Sequence, residues 1–208
     1  MTLQDRKAPI ELVIASTNVH KIREFRAMLK PLKFDILSLR DFPNYTPPEE
    51  TGSTFEENAI LKATHAANAL HRWVIADDSG LMVPALKGAP GIFSARYAGK
   101  DATDADNRKK LLEEMRHLLE EDRNAVFECC IALASPSGFK KCTCGSCEGT
   151  ILSQERGGGG FGYDPLFMKH GYNKTFSELE ESIKNRISHR RKALDKIILS
   201  IESLITRE

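Results

Sequence analysis

Val74-Ile75-Ala76-Asp77-Asp78-Ser79-Gly80-Leu81 decides how this chain is read. An apolar, β-branched run leads into two adjacent carboxylates, then a hydroxyl and a glycine. Gly88-Ala89-Pro90-Gly91 turns the chain, and Ser94-Ala95-Arg96-Tyr97 adds an arginine. A buried strand ending in carboxylates puts them where open α/β sheets place their ligands. Carboxylate oxygens are also the hard donors that Mg²⁺ prefers. Successive strand side chains point to opposite faces, so Asp77 and Asp78 should serve different purposes, one facing a cleft and the other held from behind. Taken alone, Asp-Asp-Ser-Gly reads equally well as a surface turn after a strand. The flanking segments decide between the two.

Upstream, Glu11-Leu12-Val13-Ile14-Ala15 reads as a buried strand. Ser16-Thr17-Asn18 breaks it with N-cap residues, and a helix with Ile22, Phe25, Met28 and Leu29 on one face stops before Pro31. Strand, polar turn and helix start together form an anion-binding arrangement, with free N–H groups and a positive dipole end. Lys21 in the first helical turn is unfavourable unless an anion lies beside it. The glycines and the Gly-Lys-Ser/Thr ending of a Walker A loop are missing. Phe34 to Leu39 alternates as a strand, and Arg40 to Pro48 is a proline-stiffened loop. Ser53-Thr54-Phe55-Glu56 then opens a helix with a capping-box pattern. On it, Asn58 and Lys62 share a face while Ala59, Ala63, Ala66 and Ala67 pack closely. Glu49 and Glu50 precede that helix: either they complement its dipole, or one of them completes a metal site with the Asp77/Asp78 pair.

Downstream, Asp101 to Asp106 offers capping residues for a helix whose apolar face is Leu111, Leu112, Met115, Leu118 and Leu119. Ala125 to Leu133 reads as a long strand turned at Pro136-Ser137-Gly138, and Thr150-Ile151-Leu152 as a further short one. Gly157 to Gly160 are four consecutive glycines, which a packed domain tolerates at a loop or where backbone must come close to something. Phe161 and Tyr163 beside them offer rings on which a base could stack. The last helix starts near Ser188 with Leu194, Ile197, Ile198, Ile201, Leu204 and Ile205 at helical spacing. Its first turn holds His189, Arg190, Arg191 and Lys192, with Lys184 just upstream. Cations there oppose the dipole by about 0.3–1 kcal/mol each, so an anion is expected beside them.

Bulk properties narrow the function classes. At 208 residues the chain is expected to form one domain, 1–208, of two lobes. A formal net charge of +1 argues against a general nucleic-acid binder. No apolar stretch approaches the ~20 residues that cross a bilayer. Met1 to Pro9 lacks the apolar core of a signal peptide, so a cytoplasmic location is expected. The five cysteines, an odd count, read as reduced thiols rather than a disulfide framework. Cys142, Cys144 and Cys147 lie within six residues but lack an evident fourth zinc ligand.

Five segments together resemble the inosine triphosphate pyrophosphatase family (HAM1/RdgB-like), house-cleaning enzymes that hydrolyse non-standard purine nucleoside triphosphates. They are Ala15 to Lys21, Thr54 to Ala63, Ala76 to Leu81 extending to Tyr97, Gly160 to Pro165, and Ile187 to Arg190. The first reads Ser16-Thr17-Asn18 where the family usually has Thr-Gly-Asn, and the three clustered cysteines are no part of its pattern. The resemblance implies an elongated, two-lobed α/β domain with a long mixed central sheet flanked by helices, a cleft between the lobes, and a homodimer. It implies Mg²⁺ as cofactor and a purine nucleoside triphosphate such as ITP, dITP or XTP as substrate, with neither nucleic acid nor membrane as partner. Asp78 matches the general base and metal ligand, and Glu49 or Glu50 the other acidic metal position. Ser16, Thr17, Asn18, Val19, His20 and Lys21 match the triphosphate segment, with Lys62 a phosphate lysine and Ser79 a substrate contact. Phe161, Gly162, Tyr163, Asp164, Lys184, His189 and Arg190 match the base-recognition side. Two other readings stand beside this one: a pyrophosphatase for other modified triphosphates, and a purine-nucleotide sensor without turnover.

Overall fold

The structure, a computed structural model, describes residues 10–206. In chain order it runs β1 (Ile10–Ile14), α1 (Val19–Leu29), β2 (Phe34–Ser38), α2 (Phe55–Leu70), β3 (Trp73–Met82), a 3₁₀ helix (Gly91–Arg96) and α3 (Asp104–Glu114). There follow β4 (Asn124–Ser135), β5 (Gly138–Ile151), β6 (Phe167–Lys169), α4 (Glu181–Ile187) and α5 (His189–Thr206). The strands form one mixed sheet in the order β2-β1-β3-β4-β5-β6. β1 lies parallel to β2 and β3, and the remaining pairs are antiparallel.

This order creates a switch point. The β1–α1–β2 connection moves to one side of β1, and β2–α2–β3 crosses back to the other, which is where open α/β sheets bind ligands. Pairing between β1 and β3 ends at Ile14 and Ile75, whereas β4 stays paired with β3 as far as Met82. Contrary to the sequence expectation, Asp77 and Asp78 therefore lie mid-strand rather than at a strand end. The long β4 supplies partners beyond them, and the parallel neighbour has stopped just before them.

Side-chain alternation sorts the sheet into two faces. Leu12, Ile14, Ile75 and Ile131 pack with Phe25 and Leu29 of α1 and Ile197 and Ile201 of α5. Val13, Val74, Ala76 and Ala132 pack on the opposite face against Phe55 and the alanines of α2. A third cluster gathers Leu81, Phe127, Tyr163, Phe167 and Phe176 with Leu111 and Met115. The expected α/β architecture with a long mixed sheet is present.

Local details depart from the sequence reading for identifiable reasons. The α2 cap sits one residue later than expected: Thr54 Oγ1 accepts from Glu57 N at 3.1 Å, while the Glu57 carboxylate accepts from Ser53 N at 2.7 Å. α3 ends at Glu114 with Met115 as its C-cap, so Leu118 and Leu119 lie outside it. Arg123 enforces this stop, because its buried guanidinium donates to Met115 O (2.8 Å), Ile151 O (2.7 Å) and Leu152 O (3.0 Å). Thr150 and Ile151 finish β5 instead of forming a separate strand.

The thiols differ as well. Cys130 and Cys144 stand directly opposite each other on β4 and β5 and are joined in a disulfide, against the expectation of reduced thiols. An odd count in sequence carries no information about cross-strand register. Cys142 and Cys144 face the α2 side, whereas Cys147 is buried in the cluster of Phe127 and Phe167. The three clustered cysteines therefore do not converge.

Candidate functional site

A cavity of about 400 Å³ opens at the switch point. Of the residues singled out in sequence, Ser16, Thr17, Asn18, Lys21, Glu50, Lys62, Asp78, Ser79, Phe161, Gly162, Tyr163, Asp164, Lys184, His189 and Arg190 line it. Val19, His20 and Glu49 do not. Val19 and Glu49 are exposed, and His20 stacks on Phe161 with centroids 5.2 Å apart. Of the two glutamates before α2, Glu50 is therefore the one in the cavity.

One wall is acidic and built by α2 against β3. Lys62 Nζ donates to Asp78 Oδ1 and to Glu50 Oε1, both at 2.8 Å. Asn58, one turn earlier on the same face, donates from Nδ2 to Asp78 Oδ2 at 3.3 Å. Glu50 Oε2 accepts from Arg96 at 3.3 Å. Burial raises the Asp78 carboxyl above the usual carboxylate range despite Lys62. For Glu50, burial acts the same way, but Lys62 and Arg96 outweigh it and the carboxyl is lowered.

The other wall holds a ladder of alternating charges. Asp77 Oδ2 accepts from Lys21 Nζ and from Arg190 NH2, each at 2.9 Å. Arg190 also forms a close ion pair with Glu24 and donates to Ser79 Oγ at 2.9 Å. Glu24 continues to Lys184 at 2.8 Å, and Lys184 to Asp164 at 2.5 Å. Asp164 in turn accepts from Phe161 N at 2.9 Å. Burial would raise Asp77, yet Lys21 and Arg190 hold it well below the usual range. The adjacent aspartates thus sit in opposite electrostatic environments, as their opposite strand faces require.

Several expectations change at this wall. The anions beside the cations that open α1 and α5 are the chain's own Asp77 and Glu24. The amides at the start of α1 are not free, because Asn18 Oδ1 accepts from His20 N (3.0 Å) and Lys21 N (3.2 Å), and Ser16 Oγ from Asn18 N (3.1 Å). Tyr163 is buried with its hydroxyl donating to Ser94 O at 3.0 Å, so Phe161 alone of the two rings is placed for stacking. Within the glycine run, Gly157 and Gly159 lie against backbone of their own chain, a Cβ on Gly157 falling 2.7 Å from Ser177 C, whereas Gly160 lies against the Asp164 side chain and Gly158 faces open space. His189 is buried and stacked on Phe127 at 4.7 Å, and its Nδ1 has no partner among the described residues. Burial and the neighbouring cations Arg190 and Lys184 depress its pKa well below the ordinary histidine value.

Asn58, Glu24 and Arg96 complete the site without a role assigned from the sequence, and Asp77, offered there only as half of the Asp77/Asp78 metal pair, is instead held by Lys21 and Arg190. Asp77 and Arg96 lie inside the deciding stretch. Asn58 shares a helical face with Lys62, which is a readable signal. Glu24 carries none, since its partners lie more than 150 residues away.

An α/β sheet with a charge-lined cavity at its switch point defines a class of small-molecule-binding protein. The chain belongs to the Ham1 family, whose model matches residues 12–199. It is 58% identical over 197 residues to the dITP/XTP pyrophosphatase of Protochlamydia amoebophila, covering 94% of this chain and 99% of that protein. It is 56% identical over 201 residues to the dITP/XTP pyrophosphatase of Chlamydia abortus, covering 96% and 98%. The Staphylococcus aureus Ham1 protein superposes with a TM-score of 0.81 at 43% identity, covering 93% of this chain and 98% of that one.

Proposed function

We propose that this protein is a Mg²⁺-dependent nucleoside triphosphate pyrophosphatase that converts ITP, dITP or XTP to the monophosphate and pyrophosphate. The observation that carries the reading is the convergence of Asp78 and Glu50 on Lys62, with Phe161, Lys184 and His189 lining the same cavity. The dITP/XTP pyrophosphatases to which this chain is similar support it. The acidic wall fits a hard divalent cation, since two carboxylates already share one ammonium at 2.8 Å from each. Glu50 and Asp78 would hold Mg²⁺, which supplies charge neutralisation on the phosphates.

The chain's own groups do the rest. Asp78 orients the attacking water and accepts its proton at a carboxylate oxygen. Lys62 and Lys21 offset phosphate charge as it redistributes toward the leaving pyrophosphate. Phe161 offers its ring face to the purine. His189 Nδ1, without a partner among the described residues, donates to a 6-keto oxygen when the neutral imidazole carries its proton there. Adenine presents an amino donor there, which leaves a buried donor unpaired, and sites built this way discriminate by ~10⁴-fold. Arg190, engaged by Asp77, Glu24 and Ser79, positions the wall. The same reading includes a cytoplasmic homodimer that engages neither nucleic acid nor membrane. Among the described residues no helix is long and apolar enough to cross a membrane.

The test is pyrophosphate release from ITP, dITP, XTP, ATP and GTP, with and without Mg²⁺, for wild type and Asp78→Asn. Non-standard purines should be preferred, and the variant should lose about 10²–10⁴-fold in kcat while still binding nucleotide. Full activity in Asp78→Asn, or a wild type that binds ITP without releasing pyrophosphate, would sink the proposal.

A further inference from the structure

The cavity holds a second arginine that the proposed chemistry leaves unused. Arg190 makes four hydrogen bonds, to Asp77, Glu24 and Ser79. Among the described residues Arg96 makes one, to Glu50 at 3.3 Å, with its guanidinium 5.3 Å from the Phe93 ring centroid, and its side chain is 34% exposed. A planar guanidinium with most of its donors uncommitted, in a cavity wall, suits bidentate capture of phosphate oxygens.

The backbone that carries Arg96 is held from three sides. Leu81 N donates to Ser94 Oγ at 2.9 Å, and Ser94 Oγ donates to Gly91 O at 2.6 Å. Tyr163 donates to Ser94 O at 3.0 Å. Asn107 of α3, itself buried, donates to Ala95 O at 3.2 Å and accepts from Ala98 N at 2.8 Å. Gly80, two residues past Asp78, lets the 3₁₀ helix lie directly on β3: a Cβ there would fall 2.4 Å from Ser94 Oγ and 2.5 Å from Gly91 O. β3, the Phe161–Asp164 segment and α3 thus fix the stem of one partly exposed cation. That degree of anchoring is what a ligand-binding group needs and a rim ion pair does not. A single partly exposed pair with Glu50 is weak and exchanges readily for a stronger anion.

We propose that Arg96 is a substrate-binding residue that leaves Glu50 to grip the β- and γ-phosphates, the half of the triphosphate that departs as pyrophosphate. The assignment rests on the pyrophosphatase reading above. The experiment measures binding of inorganic pyrophosphate and of inosine monophosphate to the full chain by calorimetry in MgCl₂, for wild type, Arg96→Ala and Arg96→Lys. KM and kcat for dITP and thermal melts accompany it. Arg96→Ala should weaken pyrophosphate binding by about 10–100-fold, leave monophosphate binding within about twofold, raise KM and keep the melting temperature; Arg96→Lys should recover part of the loss. Unchanged pyrophosphate binding, or equal losses for both ligands, overturns the assignment. If wild type binds both products but releases no pyrophosphate from dITP, the reaction is wrong, and the binding data still decide Arg96 separately.

Discussion

Replacing Glu24 by glutamine isolates the electrostatics of the buried ladder, because the side chain keeps its volume and loses its charge. Lys21, Lys184 and Arg190 alternate with Glu24, Asp77 and Asp164, three cations against three carboxylates, so the ladder is neutral. Glu24 lies between Arg190 and Lys184, and all three side chains are at most 5% exposed. Without its charge the ladder carries a net +1 in the protein interior, and two cations face an amide. Breaking a buried pair by removing one partner costs about 3–5 kcal/mol. For a chain of this size that is a fall in Tm of roughly 6–20 °C. The loss also has a pH signature. Burial opposes ionisation of Glu24, yet Arg190 and Lys184 hold its carboxyl below the ordinary value of 4.5. A depressed folded pKa contributes stability that is present above 4.5 and lost as pH falls through the folded value. The gap between wild type and Glu24→Gln should therefore be largest near neutrality and close in acid. Urea unfolding at pH 7.5 and at successively lower pH measures both. A loss below about 1 kcal/mol at pH 7.5, or a gap that widens in acid, would refute the view that these six charges act as a unit.

Two further perturbations probe how the ladder is held. A Cβ at Gly145, inside β5, would lie 2.3 Å from Ala193 N and 2.7 Å from His189 O. Gly145→Ala must therefore displace α5, with an expected loss of about 1–3 kcal/mol and lower turnover; unchanged melting and kinetics would show that α5 does not rest there. Buried His189 refuses a proton that it accepts in the unfolded chain near pH 6.5, so wild-type stability should fall by about 1 kcal/mol between pH 6.5 and 5.5. His189→Gln should remove that slope, and identical slopes in the two proteins would refute a neutral buried imidazole.

How much of this was legible in the sequence follows the range of each interaction. β1, the α1 start at Asn18, the α2 face that presents Asn58 and Lys62, and α5 all rest on period and capping within one element, and they stand where the residues place them. Glu49 and Glu50 could not be separated, because adjacent residues in an irregular loop have no period to sort them. Phe161 and Tyr163 looked alike for the same reason, and only packing of the Tyr163 hydroxyl on Ser94 distinguishes them. The Cys130–Cys144 pairing depends on hairpin register, which a one-residue slip would abolish.

The ladder itself was least visible. Asp77 and Arg190 are 113 residues apart, and Glu24 and Arg190 are 166 apart. No local pattern marks such partners, whereas each member alone reads as a cation or an acid in search of an external ligand. That ambiguity explains why the helix-start cations pointed toward a bound anion that the fold already supplies. Internal neutralisation leaves little net positive charge on this wall, so in the proposed reaction most of the attraction for a triphosphate would come from the cations at the acidic wall, with Lys21 adding to it from the ladder. Lys62 and Arg96 both reach Glu50 there, and Lys62 also holds Asp78. The buried ladder then fixes the shape of one wall, while in the proposed reaction the less buried acidic wall would provide the charges that change partners.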